Sequence, residues 1–417
     1  MALAVAVFAI ALGVIASERL HRTAVALLGA ALVVVSQTID QEEAVAAIDF
    51  NTIGLLAGMM LIVRLTEPTG VYNYLAIRAG QLSRGRPFVL VAALAGTTAL
   101  LSAFLDNLTT MLLIVPITFL LADTLDIRPI PLVIIQIIAS NIGGTATLIG
   151  DPPNILIAGA TDLSFLDFIV NLAPVAAVTF VVVTGLLYLA FRRSFRIDRE
   201  ARRRVMSLDA SRSIEDHDEL RRTLPIAVLT ILAFFVQGAI GIEPATVALT
   251  GATVMLLVTR QSLEEALSGI QWATLFFFLG LFVMVGALVE TGAIGEVTDA
   301  VASVTGGDRS AELLGITWVS AVGSAFVDNI PFTTAMIPVV EELRGDSGDN
   351  AYWWALSLGA CFGGNATLIA AAANVAAAGM AERAGRPIGF VQFLKVGVPA
   401  TLLSIAIATL YIAIRYL

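Results

Sequence analysis

Long apolar runs that carry few charged residues recur from one end of this chain to the other. They lie at 2–16, 23–37, 50–65, 130–158, 165–190, 223–237, 244–259, 272–289, 352–380 and 390–414. A helix that crosses a bilayer needs roughly 20 apolar residues to cover about 30 Å of hydrocarbon. Of the 417 residues, 58% are hydrophobic and only 14% are charged, whereas soluble domains carry about a quarter charged residues. The sequence therefore predicts an all-α polytopic membrane protein.

The residues that usually carry enzymatic or metal chemistry are scarce. One cysteine, Cys361, leaves no internal disulfide, and with only two histidines, His21 and His217, a Cys- or His-based metal site is not expected. The sequence has no paired His/Glu ligands on a helix, no Ser/His/Asp set and no P-loop, so we expect neither an enzyme nor a primary pump. The net charge is −9, and the charged residues are segregated between loops instead of forming one basic patch. This gives no support for nucleic-acid binding.

Two further apolar stretches, 88–122 and 310–340, are interrupted by a polar centre. Each arm has only about 15 residues, which is short for a full crossing. Backbone can turn inside a bilayer only where protein or a water-filled cavity satisfies its polar groups. We therefore predict two re-entrant helical hairpins, each entering and leaving on the same side.

The distribution of charge supports this topology. With both hairpins re-entrant, one side receives most of the basic residues, namely Arg19, Arg22, Arg78, Arg84, Arg86, Arg128, Arg260, Arg383, Arg386 and those of the linker 192–222. The other side receives the acidic residues Asp40, Glu42, Glu43, Glu243, Glu296, Asp299, Glu341, Glu342, Asp346 and Asp349. Basic loops stay cytoplasmic. We expect an inner-membrane protein with a cytoplasmic linker and both termini periplasmic, and residues 195–204 lying as a basic amphipathic helix on the inner leaflet.

The chain also contains an internal repeat. Ser-Ala-Phe-Leu-Asp-Asn at 102–107 matches Ser-Ala-Phe-Val-Asp-Asn at 324–329, and Gly-Gly-Thr-Ala-Thr-Leu-Ile at 143–149 matches Gly-Gly-Asn-Ala-Thr-Leu-Ile at 363–369. Weaker matches pair Glu67 and Gly70 with Glu290 and Gly292. The halves are 1–191 and 223–417, and each has five crossings, which is an odd number, plus a re-entrant hairpin and a broken helix. The second half is therefore expected to insert upside down relative to the first.

The two hairpins reverse at matching pairs of polar residues, Asp106-Asn107 and Asp328-Asn329. An ionisable group at membrane depth costs at least about 2.5–3.5 kcal/mol, so a functional role is expected. Each aspartate can also cap the second arm of its hairpin. Hydroxyl groups follow one turn into those arms, where they either reach the site or bond to a neighbouring helix. They belong to Thr109, Thr110, Thr333 and Thr334.

The repeated Gly-Gly stretches interrupt the runs 130–158 and 352–380. Paired glycines unwind a membrane helix and let backbone come close to a ligand. The predicted site residues here are Gly143, Gly144, Thr145, Thr147 and Asn154 in the first half, and Gly363, Gly364, Asn365, Thr367 and Asn374 in the second. Asp151 precedes Pro152, the arrangement expected of an N-cap followed by a proline in the first turn of a helix. The second half has alanines at the equivalent positions. Asp151 is thus either a plain cap or the single coupling carboxylate.

The combination of Asp-Asn tips with Gly-Gly-x-Ala-Thr-Leu-Ile breaks resembles the ion transporter superfamily. It is most like the branch of arsenite permeases and sodium/proton antiporters (ArsB/NhaD), with Gly150-Asp-Pro-Pro-Asn154 similar to P-protein-type members. The resemblance covers essentially the whole chain and implies a secondary transporter whose site includes Asp106, Asn107, Asp328, Asn329 and the broken helices. Dicarboxylate carriers of the superfamily have serine where this chain has Asp106 and Asp328, and two extra carboxylates would repel a dicarboxylate.

The resulting prediction is proton-coupled antiport of a small inorganic solute. Desolvation favours the neutral form of a carboxyl group, so a buried aspartate can exchange a proton for a solute on alternate sides. The resemblance favours arsenite or antimonite efflux. Sodium/proton antiport is the alternative, because Na⁺ binds carboxylate and carbonyl oxygens, and an anion channel or a dicarboxylate carrier is a further one. No cofactor is expected beyond the coupling ion, H⁺ or Na⁺. The expected partners are the solute and the bilayer, and a homodimer and an accessory ATPase stay open.

Overall fold

The computed structural model describes residues 1–17 and 19–417, without the side chains of Arg199 and Asp346, so the acidic group expected at Asp346 lies outside the described residues. All regular structure in these residues is helical. The first half contains α1 (Ala2–Ala16), α2 (Arg22–Val35), α3 (Gln41–Ala46), α4 (Phe50–Thr66), α5 (Val71–Leu82), α6 (Pro87–Phe104), α7 (Asn107–Leu125), α8 (Pro129–Gly144), α9 (Pro152–Gly159) and α10 (Phe165–Phe191). The linker contains α11 (Arg199–Met206). The second half contains α12 (His217–Ile240), α13 (Pro244–Val258), α14 (Leu263–Ser268), α15 (Trp272–Glu290), α16 (Ala293–Thr305), α17 (Arg309–Phe326), α18 (Asn329–Arg344), α19 (Ala351–Gly363), α20 (Ala372–Arg383) and α21 (Phe390–Tyr416).

The helices follow the same order in the two halves, with α1–α10 corresponding to α12–α21. Two of the equivalent pairs are equal in length: α6 and α17 both contain 18 residues, and α10 and α21 both contain 27. Gly70 and Gly292 precede α5 and α16 at the same left-handed φ of 76°, a conformation that favours glycine. The repeat therefore extends to helices that its two strong motifs do not reach.

The polytopic all-α prediction is confirmed. Seven of the described helices, α4, α6, α7, α10, α12, α15 and α21, are long and apolar enough to cross a membrane, and α1, α2, α8 and α13 are apolar but shorter. The runs 130–158 and 352–380 are each divided into two helices, α8 with α9 and α19 with α20. The breaks therefore fall where the glycine pairs indicate them.

The hairpin arms are longer than the sequence indicated. The helices α6, α7, α17 and α18 contain 18, 19, 18 and 16 residues, against expected arms of about 15. The extra turns lie at the ends away from the tips, where polar residues such as Asp123 shorten the purely apolar run. Because α6 and α7 are each long enough to cross, the re-entrant course of the hairpin they form stays a prediction.

The linker packs on the protein. Ala201 and Val205 of α11 are buried against α5 and α7, and Phe195 is also buried. The Gln81 side chain donates a 2.6 Å hydrogen bond to the Leu208 carbonyl. The buried residues of this basic helix therefore pack on protein, and its expected contact with the inner leaflet stays a prediction.

The two halves are interlocked. Helix α2 of the first half packs along α15 of the second, and α4 packs along α13. Both contacts need a glycine: a Cβ on Gly58 would lie 2.8 Å from the Ala248 backbone, and one on Gly280 would lie 2.6 Å from that of Ala26. We call α1–α4 with α12–α15 the scaffold group.

A second assembly, the site group, consists of α6–α10 and α17–α21. Within it α6 packs on α8 and α17 packs on α19, each inside its own half. The short helices that follow the breaks pack across the halves, α9 on α18 and α20 on α7. Both hairpin tips and both broken helices thereby meet in the interior of the site group.

Candidate functional site

Each hairpin tip ends in an aspartate that caps the helix after it. The Asp106 carboxylate accepts a 2.9 Å hydrogen bond from the Thr109 backbone N–H and another from the Thr109 hydroxyl. The Asp328 carboxylate accepts a 3.0 Å bond from the Ile330 backbone N–H. Both aspartates thus have the capping role that the sequence allows, and their carboxylates are engaged at the ends of α7 and α18.

Asp328 has an additional partner that sequence reasoning missed. The Arg22 Nη1 atom, at the start of α2, lies 2.9 Å from Asp328 Oδ2. The sequence places Arg22 among the basic residues of a loop, and its partner is 306 positions away. No motif or spacing joins the two residues, so only the fold reveals the pair.

The helix breaks place Asp151 between the two tips. Asp151 precedes α9 in an extended conformation, and its side chain makes no capping hydrogen bond. Its Oδ1 atom instead accepts a 3.1 Å bond from Asn107 Nδ2 and a 3.1 Å bond from Asn329 Nδ2. The side chain is fully buried. Asp151 is therefore not a plain cap, because its carboxylate joins the tip asparagines of both halves.

Asn141 of α8 extends this network into the second half. Its Oδ1 atom accepts a 3.2 Å hydrogen bond from Asn107, and its Nδ2 atom donates to Asn365 at 3.0 Å and to Asn374 at 3.1 Å. Asn141, Asn365 and Asn374 are fully buried. Asn141 lies two residues before the glycine pair, inside an otherwise apolar run, so the pattern around it is only a weak signal of function.

Two equivalent asparagines hold the breaks in shape. Asn154 Nδ2 donates to the carbonyls of Thr145 and Thr147 at 3.1 and 2.7 Å. Asn374 Nδ2 donates to the carbonyls of Gly364 and Thr367 at 2.7 and 2.8 Å. These bonds satisfy carbonyls that the helix breaks leave without partners.

Most of the predicted hydroxyl groups bind backbone rather than face the centre. The acceptors are the carbonyls of Asn141 for Thr145, Ala103 for Thr147, Asn329 for Thr333, Ile330 for Thr334 and Ala325 for Thr367. Thr109 bonds to Asp106. The structure therefore brings Asn107, Asn329, Asp151, Asn365 and Asn374 together, and leaves these threonines as supports around them.

The glycines of the breaks serve helix packing. A Cβ on Gly143 would lie 2.2 Å from the Ala99 carbonyl oxygen, and one on Gly363 would lie 2.5 Å from that of Ala321. A Cβ on Gly144 would lie 2.5 Å from the Gly150 carbonyl oxygen, whereas Gly364 has no contact shorter than 3.2 Å. Gly143 and Gly363 thus bring α8 and α19 close to α6 and α17, instead of opening backbone to a ligand.

Three buried polar atoms near the tips and breaks have no hydrogen-bond partner among the described residues. They are Asp151 Oδ2, Asn365 Nδ2 and Thr110 Oγ1. Buried polar atoms are nearly always paired in folded proteins. Asp151 and Asn365 belong to the same asparagine network, so this network leaves one acceptor and one donor unpaired.

The orientation of the amides limits what Asp151 can bind. An ionised carboxylate only accepts hydrogen bonds, so the asparagines on either side must present their N–H groups to it. A metal cation needs oxygen ligands on several sides. Within the described residues, no group of three or more His, Cys, Asp or Glu side chains could hold a metal ion. Asp151 Oδ1 therefore meets amide donors from both hairpin tips.

Comparison with known proteins identifies relatives of the chain. A family model described as citrate transporter matches residues 12–359. An uncharacterised transporter of Mycobacterium tuberculosis is 42% identical over 421 residues, which cover 99% of this chain and 98% of the relative. The P protein of Mus musculus is 33% identical over 503 residues, which cover 100% of this chain and 60% of the relative. The crystal structure of the Alcanivorax borkumensis YdaH transporter, described as revealing an unusual topology, superposes with a TM-score of 0.62 at 16% sequence identity. The match covers 89% of this chain and 86% of the YdaH chain.

These matches confirm the resemblance to the ion transporter superfamily and to P protein, while the arsenite-permease branch stays a prediction. The likeness to YdaH, at its low identity, concerns the fold alone. The chain is a multi-span membrane transporter and belongs to the citrate transporter family.

Proposed function

We propose that this protein is a secondary active transporter that exchanges protons for a small neutral oxyacid, with arsenite or antimonite as the preferred solute. One observation carries the proposal. The fully buried Asp151 carboxylate receives both tip asparagines on one oxygen and leaves its other oxygen without a partner. An ionisable group inside a membrane bundle marks an ion or proton pathway by default.

Protonation of Asp151 would act directly on both hairpins. The ionised carboxylate forms charge-assisted hydrogen bonds with Asn107 and Asn329, which are stronger than bonds to a neutral group. Adding a proton weakens both bonds at once and turns one oxygen into a donor. The protonation state of one residue therefore changes how firmly the two tips are held, which is the link that proton-coupled antiport needs.

The unpaired acceptor of Asp151 and the unpaired donor of Asn365 favour a solute with hydroxyl groups over a bare cation. A neutral trivalent oxyacid can donate to Asp151 Oδ2 and accept from Asn365 Nδ2, both of which lack partners. Sodium would instead need oxygen ligands. The nearby carbonyls of Thr145, Thr147, Gly364 and Thr367 already accept bonds from Asn154 and Asn374.

The test is uptake into inverted membrane vesicles under an imposed pH gradient, with arsenite and sodium compared as solutes. We expect arsenite accumulation by the native protein and none by Asp151→Asn, because the variant cannot carry the proton. Asp162→Asn is the matched control, since Asp162 is an exposed carboxylate a short distance along the chain, and it should transport normally. Native accumulation by Asp151→Asn would remove Asp151 from the mechanism, and accumulation of sodium alone would favour the sodium/proton alternative.

We also expect the native protein not to bind citrate or succinate. Asp106 and Asp328 lie directly beside the tip asparagines that contact Asp151. Only Asp328 has a partner among the described ion pairs, so an anionic solute would still meet the charge of Asp106. A like-charge contact at about 4 Å costs roughly 4 kcal/mol at an effective dielectric constant near 20. A thermal-shift titration with each acid, with and without sodium, measures this. Saturable stabilisation by citrate would contradict the prediction and make the carboxylate carrier the better assignment.

A further inference from the structure

A cavity of about 460 Å³ lies directly beside the central network. Its lining includes Leu108, Asp328 and Ala372. Leu108 follows Asn107, Asp328 precedes Asn329, and Ala372 begins the helix that carries Asn374. The cavity thus reaches both hairpin tips and the second helix break, one residue away from the groups that contact Asp151.

Arg22 and Asp328 stand together in the wall of this cavity. Their ion pair is 2.9 Å long, and 26% of the Arg22 side chain and 11% of the Asp328 side chain are exposed. The Arg22 guanidinium also lies 5.2 Å from the centre of the Phe277 ring of α15. Arg22 is therefore held on the scaffold group by its place in α2 and by Phe277, and it binds the tip of a hairpin that belongs to the site group.

The tip of the other hairpin has a different arrangement. Asp106 accepts its hydrogen bonds from Thr109, within its own hairpin. Asp328 and Asp106 occupy equivalent positions in the repeat, but the described ion pairs include only Asp328. The second hairpin is thus tied to the scaffold group at its tip, whereas the first is capped locally.

We propose that Arg22 is a positioning residue for the transport site: through Asp328 it holds the second hairpin tip closed over the centre, and separation of the pair opens the cavity to Asp151. The two contacts are coupled through adjacent residues. Asp328 is held by Arg22, and Asn329 donates to Asp151 Oδ1 at 3.1 Å. Movement of the tip away from α2 therefore removes a wall of the cavity and one of the two amides on Asp151.

The experiment uses the only cysteine of the chain as its reporter. Cys361 is fully buried, its Sγ atom lies 3.8 Å from Asn154 Oδ1, and its thiol lies beside the Asp151 carboxylate. The full-length protein in native membranes is treated with methyl methanethiosulfonate, and modification is followed by intact-protein mass spectrometry. We expect Arg22→Gln to raise the modification rate about tenfold, because loss of one partner leaves Asp328 uncompensated.

Two further variants separate positioning from general loosening. Arg386→Gln breaks a 2.7 Å ion pair with Asp123 that lies away from this cavity, so it should leave the modification rate unchanged. Arg22→Asp combined with Asp328→Arg restores an ion pair with reversed sign but loses the Asp328 cap on α18, so it should bring the rate below that of Arg22→Gln without reaching the native value. If Arg22→Gln does not fold, Arg22→Lys, which keeps the charge but loses the planar contact, should give an intermediate rate.

The proposal is overturned if Arg22→Gln, or Arg22→Lys in its place, is modified no faster than Arg386→Gln, or if the charge-reversed pair is as reactive as Arg22→Gln. It rests on Asp151 being the transport site, but thiol modification requires no transport. A negative vesicle assay and an unchanged modification rate are thus distinct failures, the first of the proposed solute exchange and the second of the role of Arg22.

Discussion

Asp151 and Cys361 are the central positions at which the two halves differ most in chemistry. Ala371 stands where the repeat would place a second Asp151, and Asn141 stands where it would place a second Cys361. Asn141 donates to Asn374 at 3.1 Å, and Cys361 makes the equivalent contact with Asn154 at 3.8 Å. The Cys361 thiol therefore makes a weaker hydrogen bond to Asn154 than the Asn141 amide makes to Asn374.

This equivalence gives a prediction for Cys361. Replacing Cys361 with Ser keeps a donor to Asn154, so we expect arsenite transport in vesicles to stay within about twofold of the native rate. Asn154→Ala is the contrasting variant, because it removes the donor to Thr145 and Thr147 as well as the acceptor, and it should lose transport. A selective loss of arsenite transport in Cys361→Ser would show that the thiol itself binds the solute.

The sequence identified some of these residues and not others for physical reasons. Asn107 and Asn329 stood out because polar pairs at membrane depth are expensive. Asp151 was recognisable, but its role depended on which groups the tips bring to it. Arg22 was not recognisable, since an arginine near the end of an apolar run is expected at an interface. Its contact with Asp328 requires the second half to fold against the first.

Among the helices, the close approach of α8 to α6 and of α19 to α17 is what fixes the breaks in place. The glycine pairs announced where the helices break. They did not indicate that Gly143 and Gly363 face neighbouring backbones. In a sequence, a glycine where two helices cross cannot be distinguished from a glycine beside a ligand. The sequence did not indicate α5 and α16, because polar residues interrupt their apolar runs.

Glycine substitutions test this packing. A Cβ at Gly143 or Gly363 would overlap a carbonyl oxygen of the adjacent helix, whereas one at Gly185 in α10 would meet nothing within 4 Å. We expect Gly143→Ala and Gly363→Ala each to destabilise the protein by about 1–3 kcal/mol, as overpacking does. Thermal unfolding in detergent should show a lower midpoint for both and a native midpoint for Gly185→Ala. Equal midpoints for all three variants would argue against close packing at the breaks.

In the molecule as a whole, the sequence predicted the order of the helices but did not predict which helices pack together. Charge sorting and the repeat indicated two halves joined by a basic linker, and helices in the same order were found in both. The packing of α2 on α15 and α4 on α13 was not predictable, since apolar runs carry no information about which helix lies beside which.

The orientation of the protein in the membrane is open to direct measurement. In a Cys361→Ala background, we expect a membrane-impermeant maleimide added to intact cells to modify Leu417→Cys and to spare Arg212→Cys. Both positions are exposed in the structure, so the difference reports sidedness rather than burial. Modification of position 212 alone would reverse the topology and remove the support that charge sorting gives to the re-entrant hairpins.

The alanine opposite Asp151 has an electrical consequence. A duplicated chain that kept both copies of Asp151 could move protons in pairs, but with Ala371 in the second half only one of these two positions carries a carboxylate. One proton exchanged for one uncharged solute moves a net elementary charge across the bilayer in each cycle. Such a cycle is electrogenic, and the membrane potential would contribute about 2.3 kcal/mol per 100 mV to it. Efflux would then continue in a cell whose pH gradient has collapsed, for as long as its voltage is maintained.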